Sequence, residues 1–204
     1  MILLCVLSYL IGSIPTAFLV GRVCKVDIRK YGSGNVGATN VFRVLGKKWG
    51  SFTLAFDILK GFAPVFWIAP RIVSLNLSPS LVSIQLIAGV FTIAGHTWPV
   101  WLQFKGGKGV ATSCGVFLGI FPKAVFVTLL IWIAVLLISR FVSLASIVAG
   151  ILFPFCLLIF YRSTPDLKIA LTISAALSLF IIFTHRANIK RVLNGMENRI
   201  PHSK

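Results

Sequence analysis

Two short stretches hold the side chains best suited to gripping an anion. The first is Gly32-Ser33-Gly34-Asn35-Val36-Gly37-Ala38-Thr39-Asn40, followed by Arg43. Glycines let backbone N–H groups approach an anion closely, and Ser33, Asn35, Thr39 and Asn40 add neutral polar groups. Arg43 adds a planar fork of donors that matches a phosphate. A plain linker would also use glycines, although it rarely gathers Ser, Asn and Thr around them. The segment contains GxGxxG, but a dinucleotide fold needs a preceding strand and a βαβ unit, and the flanking apolar spans exclude both.

The second stretch runs Gly95-His96-Thr97-Trp98-Pro99 and then Phe104-Lys105-Gly106-Gly107-Lys108-Gly109-Val110-Ala111-Thr112. Two lysines set among glycines, opening onto an apolar helix, describe an anion site at a helix N-terminus. The lysines would equally serve as charge anchors at a membrane edge, and His96 as a hydrogen-bonded histidine there. Trp98 and Trp101 read as interfacial belt residues. GxxxxGK[ST] is absent, so nucleotide hydrolysis is not indicated.

Two further segments are shorter. Arg140-Phe141-Val142-Ser143-Leu144-Ala145-Ser146 reads by itself as a basic anchor and helix cap, or as a source of hydroxyls from Ser143 and Ser146. In His185-Arg186-Ala187-Asn188, His185 and Asn188 are three apart, share a helix face, and could orient a substrate hydroxyl. Asp57 and Lys60 lie within an apolar block. Ionisable groups at such depth are usually paired, and their spacing allows it, so a structural ion pair and a substrate-facing role for Lys60 both stand. No two carboxylates sit close together, and HExxH, GxSxG and HxxxxD are missing. The cysteines, Cys5, Cys24, Cys114 and Cys156, form no CxxC pair and indicate neither a disulfide framework nor zinc. No metal or cofactor is expected.

The elements that must position these residues are membrane helices. Of the 204 residues 57% are hydrophobic, and mean hydropathy is +0.96, above the range of a soluble domain. Twenty Lys and Arg against four acids give a charge of +16, which points to anionic lipid or substrate. Nucleic acid is excluded because the cations sit in short loops between apolar blocks. Those blocks fall at about 1–20, 52–70, 81–95, 110–121, 123–139, 144–161 and 169–184. The first lacks a basic leader and a cleavage site, and reads as an uncleaved span.

Stretch 110–139 is either one long helix or two short ones broken at Phe121-Pro122-Lys123. With two, Arg22, Lys25, Arg29, Lys30, Arg43, Lys47, Lys48, Lys105, Lys108, Arg140, Arg186, Lys190, Arg191, Arg199 and Lys204 all lie inside. Only Arg71, Lys123, Arg162 and Lys168 then lie outside. A single helix would put the basic tail on the wrong face. The positive-inside rule therefore favours an all-α polytopic protein of seven transmembrane helices, some short, with the N-terminus outside and the C-terminus cytoplasmic. Residues 1–204 form a single integral-membrane domain in this reading, without repeats, and all four polar segments face the cytoplasm.

GSGNVGATNVFR, with GHTWPVWLQFKGGKGVAT, SLAS and HRANI, resembles the bacterial acyl-phosphate:glycerol-3-phosphate acyltransferases along nearly the whole chain, from Ile11-Gly12-Ser13-Ile14-Pro15 to the basic tail. The resemblance implies a seven-helix inner-membrane enzyme with its active site facing the cytoplasm. It would move a fatty acyl group from acyl phosphate to the 1-hydroxyl of glycerol 3-phosphate, giving lysophosphatidic acid and phosphate. Its partners would be those two substrates and the lipid bilayer, with a functional link to the enzyme that makes acyl phosphate. By matched motif, Ser33, Lys108, His185 and Asn188 are the expected catalytic residues. Gly34, Asn35, Gly37, Thr39, Asn40, Arg43, Lys60, His96, Lys105, Gly106, Gly107, Ser143 and Ser146 are expected to bind substrate or phosphate. Acyl phosphate is already activated, so positioning and charge stabilisation would supply most of the acceleration. The base would be His185, His96 or a substrate phosphate oxygen, and the shortage of carboxylates favours the last. A transporter of phosphorylated solutes also fits anion loops but predicts inverted repeats. A lipid-binding scaffold explains the cations but not the recurring Gly, Ser and Asn.

Overall fold

The computed structural model describes residues 1–73 and 80–200; Lys204, counted above in the basic tail, lies outside them. The described residues are helical with no strand. The helices group into two compact units, Met1–Ile120 and Phe121–Lys204.

In the first unit, α1 (Ile2–Gly12) and α2 (Thr16–Val23) share one apolar block. They are separated at Ser13–Pro15, because Pro15 has no N–H to continue the helical ladder. α3 (Ala38–Ala63) begins well before its apolar block and bends at Gly46, where φ is 82°. Only glycine takes that conformation without strain. A wide turn, Pro64–Ile68, leads into α4 (Ala69–Val73). α5 (Leu81–Thr97) is capped by the Ser80 hydroxyl, which accepts the Ser83 N–H at 3.1 Å. α6 (Val110–Ile120) is short. α1 packs on α5 and α3 on α6. The α3–α6 crossing is close because Gly61 and Gly115 face Thr112 O and Ile58 O, where a Cβ would collide. Small residues of this kind let membrane helices approach closely.

The second unit contains α7 (Pro122–Ser139), α8 (Val142–Phe160), α9 (Leu167–Thr184) and α10 (Arg186–Leu193). α8 packs between α7 and α9. The break expected near Phe121-Pro122-Lys123 is present. Phe121 leaves the helical region (φ −131°, ψ 61°) and Pro122 opens α7, as the restriction on a residue before proline requires. Buried Phe121 packs edge-on against Tyr161, whose hydroxyl accepts the Lys123 N–H at 3.2 Å.

Among the described residues, six segments are long and apolar enough to cross a membrane: Ile2–Val23, Ala38–Ile72, Leu81–Leu102, Pro122–Ser139, Val142–Phe160 and Leu167–Thr184. Val110–Ile120 is a shorter apolar helix. At 1.5 Å per residue it spans roughly 16 Å, about half a bilayer's hydrocarbon thickness.

Candidate active site

The loop from Gly32 to Asn40 is held by Asn40. Its side-chain oxygen accepts the Ser33 N–H at 2.8 Å, and its amide donates to Ile28 O and Tyr31 O, both at 3.1 Å. Asn40 is buried and fully engaged with backbone, so its work is to shape the loop. Gly37 caps α3 and its carbonyl takes the Asn40 and Val41 N–H groups. Ser33, Thr39 and Arg43 are exposed. Thr39 and Arg43 are four apart on α3 and share a face. The α3 N-terminus and Arg43 thus present donors on one side of the loop.

The Lys105–Gly109 loop folds back onto the end of α5. Gly106 N–H bonds Thr97 O at 3.0 Å and Gly107 N–H bonds His96 O at 3.1 Å. These amides satisfy carbonyls that a helix end leaves open. Gly106 and Gly107, expected above to bind substrate or phosphate, thus have their N–H groups on α5 carbonyls. Their lack of a side chain permits close approach; in the same loop Lys105 is exposed and Lys108 half-buried. A Cβ on Gly107 would collide with His96 Nε2 and lie 3.0 Å from Val36 O. The two glycine loops therefore meet. Ala17, Val20, Ile28, Val36, Val41 and Leu102 form the apolar core beneath them, each larger side chain contributing about 1.5–3 kcal/mol.

Behind this junction lies a buried polar cluster. Lys60 Nζ is 2.8 Å from Asp57 Oδ1 and donates to Ile14 O, also at 2.8 Å. Thr16 Oγ1 donates to Asp57 Oδ1 at 3.1 Å, and His96 Nδ1 stands 3.8 Å from the same oxygen. The Ser13–Thr16 break therefore delivers one carbonyl and one hydroxyl to the ion pair. Asp57, Lys60 and His96 line a small recess with Ser13, Thr16, Val36, Gly106 and Gly107. Asp57 and Lys60 pair, and both line the recess. Outside the spans, the Arg29 guanidinium bonds Asp27 (2.9 Å) and holds its carboxyl at about 2.

The second unit has its own polar cluster, around Glu197. Ser143 Oγ donates to Oε1 at 2.9 Å, Asn188 Nδ2 donates to the same oxygen at 2.6 Å, and Arg191 Nε donates to Oε2 at 2.7 Å. Burial raises the carboxyl's pKa, but the bonds from Asn188, Arg191 and Ser143 together bring it below its ordinary value. Arg140 ties down the same tail through Ile200 O at 2.6 Å. Ser146 Oγ donates to Val142 O and accepts from Trp132. His185 sits at the α9–α10 junction with Nδ1 2.8 Å from Ile181 O. Sequence reasoning missed Glu197. The one available signal was its rarity, as one of four acids in a strongly basic chain.

No group of three or more His, Cys, Asp or Glu able to hold a metal occurs among the described residues.

Helices fit to cross a bilayer, with cation-bearing loops joined over a polar recess, define a multi-pass integral membrane protein. The chain belongs to the glycerol-3-phosphate acyltransferase family, whose model matches residues 2–195. It is 45% identical over 201 residues to glycerol-3-phosphate acyltransferase 2 of Bacillus anthracis, covering 98% of each chain. It is 42% identical to the Bacillus subtilis glycerol-3-phosphate acyltransferase, covering 97% of this chain and 96% of that one. Crystal structures of PlsY (YgiH), an integral membrane glycerol 3-phosphate acyltransferase, superpose with TM-scores of 0.87 for the glycerol 3-phosphate form and 0.84 for the lysophosphatidic acid form. Both are 38% identical, covering 98% of this chain and 95% of theirs. The family is the one the four motifs resemble.

Proposed function

We propose that this chain transfers a fatty acyl group from acyl phosphate to the 1-hydroxyl of glycerol 3-phosphate, giving lysophosphatidic acid and phosphate. The observation that supports the reading is the junction of the two glycine loops, where a Cβ on Gly107 would lie 3.0 Å from Val36 O; Ser33, Thr39, Arg43, Lys105 and Lys108 belong to those loops and their flanks. Family membership, and the glycerol 3-phosphate and lysophosphatidic acid forms of the related PlsY, support the acceptor and the product.

In the reaction the glycerol oxygen attacks the acyl carbonyl. An ester C–O bond forms, the C–O bond to phosphate breaks, and the hydroxyl proton leaves on the released phosphate. Arg43, Lys105 and Lys108 neutralise the phosphate charges, while Ser33, Asn35 and the start of α3 orient them. No side-chain base is needed when a phosphate oxygen takes the proton. His185, Asn188, Ser143 and Ser146 are proposed as substrate-handling residues on their motifs alone. The accompanying topology is seven spans with α6 as the short one, the N-terminus outside and the loops cytoplasmic in the inner membrane. Residues 1–204 act as one domain in this reading, linked through the donor to the enzyme that makes acyl phosphate.

The test uses purified protein in detergent with labelled glycerol 3-phosphate and either palmitoyl phosphate or palmitoyl-CoA. Lysophosphatidic acid should form with the first donor and not the second. Product from palmitoyl-CoA alone would reject the donor assignment, and accumulation of unmodified solute in proteoliposomes without product would favour a transporter. Single cysteines replacing Lys47 and Lys123 in a cysteine-free background should label from opposite faces of sealed cells.

A further inference from the structure

The recess behind the glycine loops has a composition that suits neither phosphate. Its charges are one carboxylate and one ammonium, Asp57 and Lys60, 2.8 Å apart and both almost completely buried. A phosphate placed there would meet the Asp57 carboxylate at close range in a low-dielectric setting, where like charges repel strongly. The enclosed part of the recess has room for about one water-sized group.

The hydrogen-bonding capacity left on the pair is specific. Lys60 has three N–H donors; two are directed at Asp57 Oδ1 and Ile14 O. The closest approaches of Thr16, Lys60 and His96 to Asp57 all fall on Oδ1, which leaves Oδ2 as the acceptor open to a bound group. One donor and one acceptor side by side match a hydroxyl, which accepts and donates at once. A phosphate dianion only accepts. His96, with its ring between Asp57 and Gly107, closes the side nearest the loops.

Resting on the acyltransferase reading, we infer that the Asp57–Lys60 recess is the subsite for an uncharged hydroxyl of the acceptor, the 2-hydroxyl of glycerol 3-phosphate. It thereby selects a vicinal diol phosphate over a simple alcohol phosphate. The 2-hydroxyl donates to Asp57 Oδ2 and accepts from Lys60 Nζ, while the phosphate stays with the exposed cations above. A site built to hydrogen-bond a hydroxyl discriminates strongly against an analogue lacking it, because its own buried polar groups are then left unpaired.

The experiment compares kcat/KM for glycerol 3-phosphate and for 3-hydroxypropyl phosphate, which keeps the reacting hydroxyl and the phosphate and lacks only the 2-hydroxyl. Palmitoyl phosphate is the donor. The unmodified protein should prefer glycerol 3-phosphate by about 10,000-fold. In the charge-balanced double variant Asp57→Asn, Lys60→Met that ratio should fall to within a few-fold of one. A purely structural role would lower both acceptors together and leave the ratio intact, which would overturn the assignment. A ratio near one in the unmodified protein would overturn it without any variant, so the proposal remains testable if the double variant fails to fold. Then Thr16→Val, which removes one bond to Oδ1, provides the intermediate case, with the ratio lowered several-fold. Absence of acyl transfer to either acceptor would defeat the acyltransferase reading itself, an outcome distinct from transfer without discrimination.

Discussion

Replacing Gly107 by alanine tests the loop junction with one methyl group. The new Cβ would collide with His96 Nε2 and sit 3.0 Å from Val36 O. His96 is 7% exposed and has little room to retreat, and Val36 O belongs to the facing loop. Forcing a methyl into such a packed site costs about 1–3 kcal/mol. Felt at the reacting atoms, that is roughly a 5- to 150-fold loss in kcat/KM. The assay is acyl transfer to glycerol 3-phosphate, run beside thermal unfolding in the same detergent. The cause is isolated by a double-mutant cycle. In a His96→Ala background the ring is gone, so Gly107→Ala should cost several-fold less than in the unmodified protein. An equal cost in both backgrounds, or none in either, would refute the argument that this glycine exists to let the loop reach the histidine.

Three further outcomes follow from the geometry. Arg43→Ala or Lys108→Ala should lower turnover by about 100-fold or more, and by more than His96→Ala, because in the proposed mechanism each supplies a charge that stabilises the reacting phosphates; near-normal turnover in folded Lys108→Ala protein would reject the phosphate clamp. Lys60→Met alone should destabilise by about 3–5 kcal/mol, since it strands the buried Asp57 carboxylate, whereas adding Asp57→Asn should restore much of the loss in thermal unfolding. The Glu197 carboxyl is held below its ordinary value, so its contribution is complete at neutral pH and is lost as pH falls through the lowered value. Hydrogen exchange of residues 195–200 should therefore accelerate on acidification below about pH 4, and Glu197→Gln should remove that pH dependence.

Much of this arrangement was readable in the sequence where the signal is local. Proline at 122 and the distribution of cations marked the α6–α7 break, and the i, i+3 spacing of Asp57 and Lys60 foretold their pairing. The glycine loops were visible by composition, yet composition did not separate Asn35 from Asn40. Asn40 is occupied by backbone carbonyls of Ile28 and Tyr31, atoms every residue has, so no residue type announces them. Likewise, the Gly106 and Gly107 N–H groups lie on α5 carbonyls, which no residue type announces. Glu197 was opaque because Ser143, which it holds, lies 54 positions away. The Pro15 break was legible as a proline, but its use, turning Ile14 O and Thr16 toward α3, depends on packing between distant segments.

The contacts of Lys60 and Asp57 with that break bear on how the chain is made. Each charge costs about 2.5–3.5 kcal/mol to leave in the middle of an inserting helix. Their partners Ile14 and Thr16 precede them by 46 and 41 residues, so they are synthesised and threaded first. By the time α3 is made, the carbonyl and the hydroxyl that satisfy Lys60 and Asp57 in the folded protein are therefore already present in the chain.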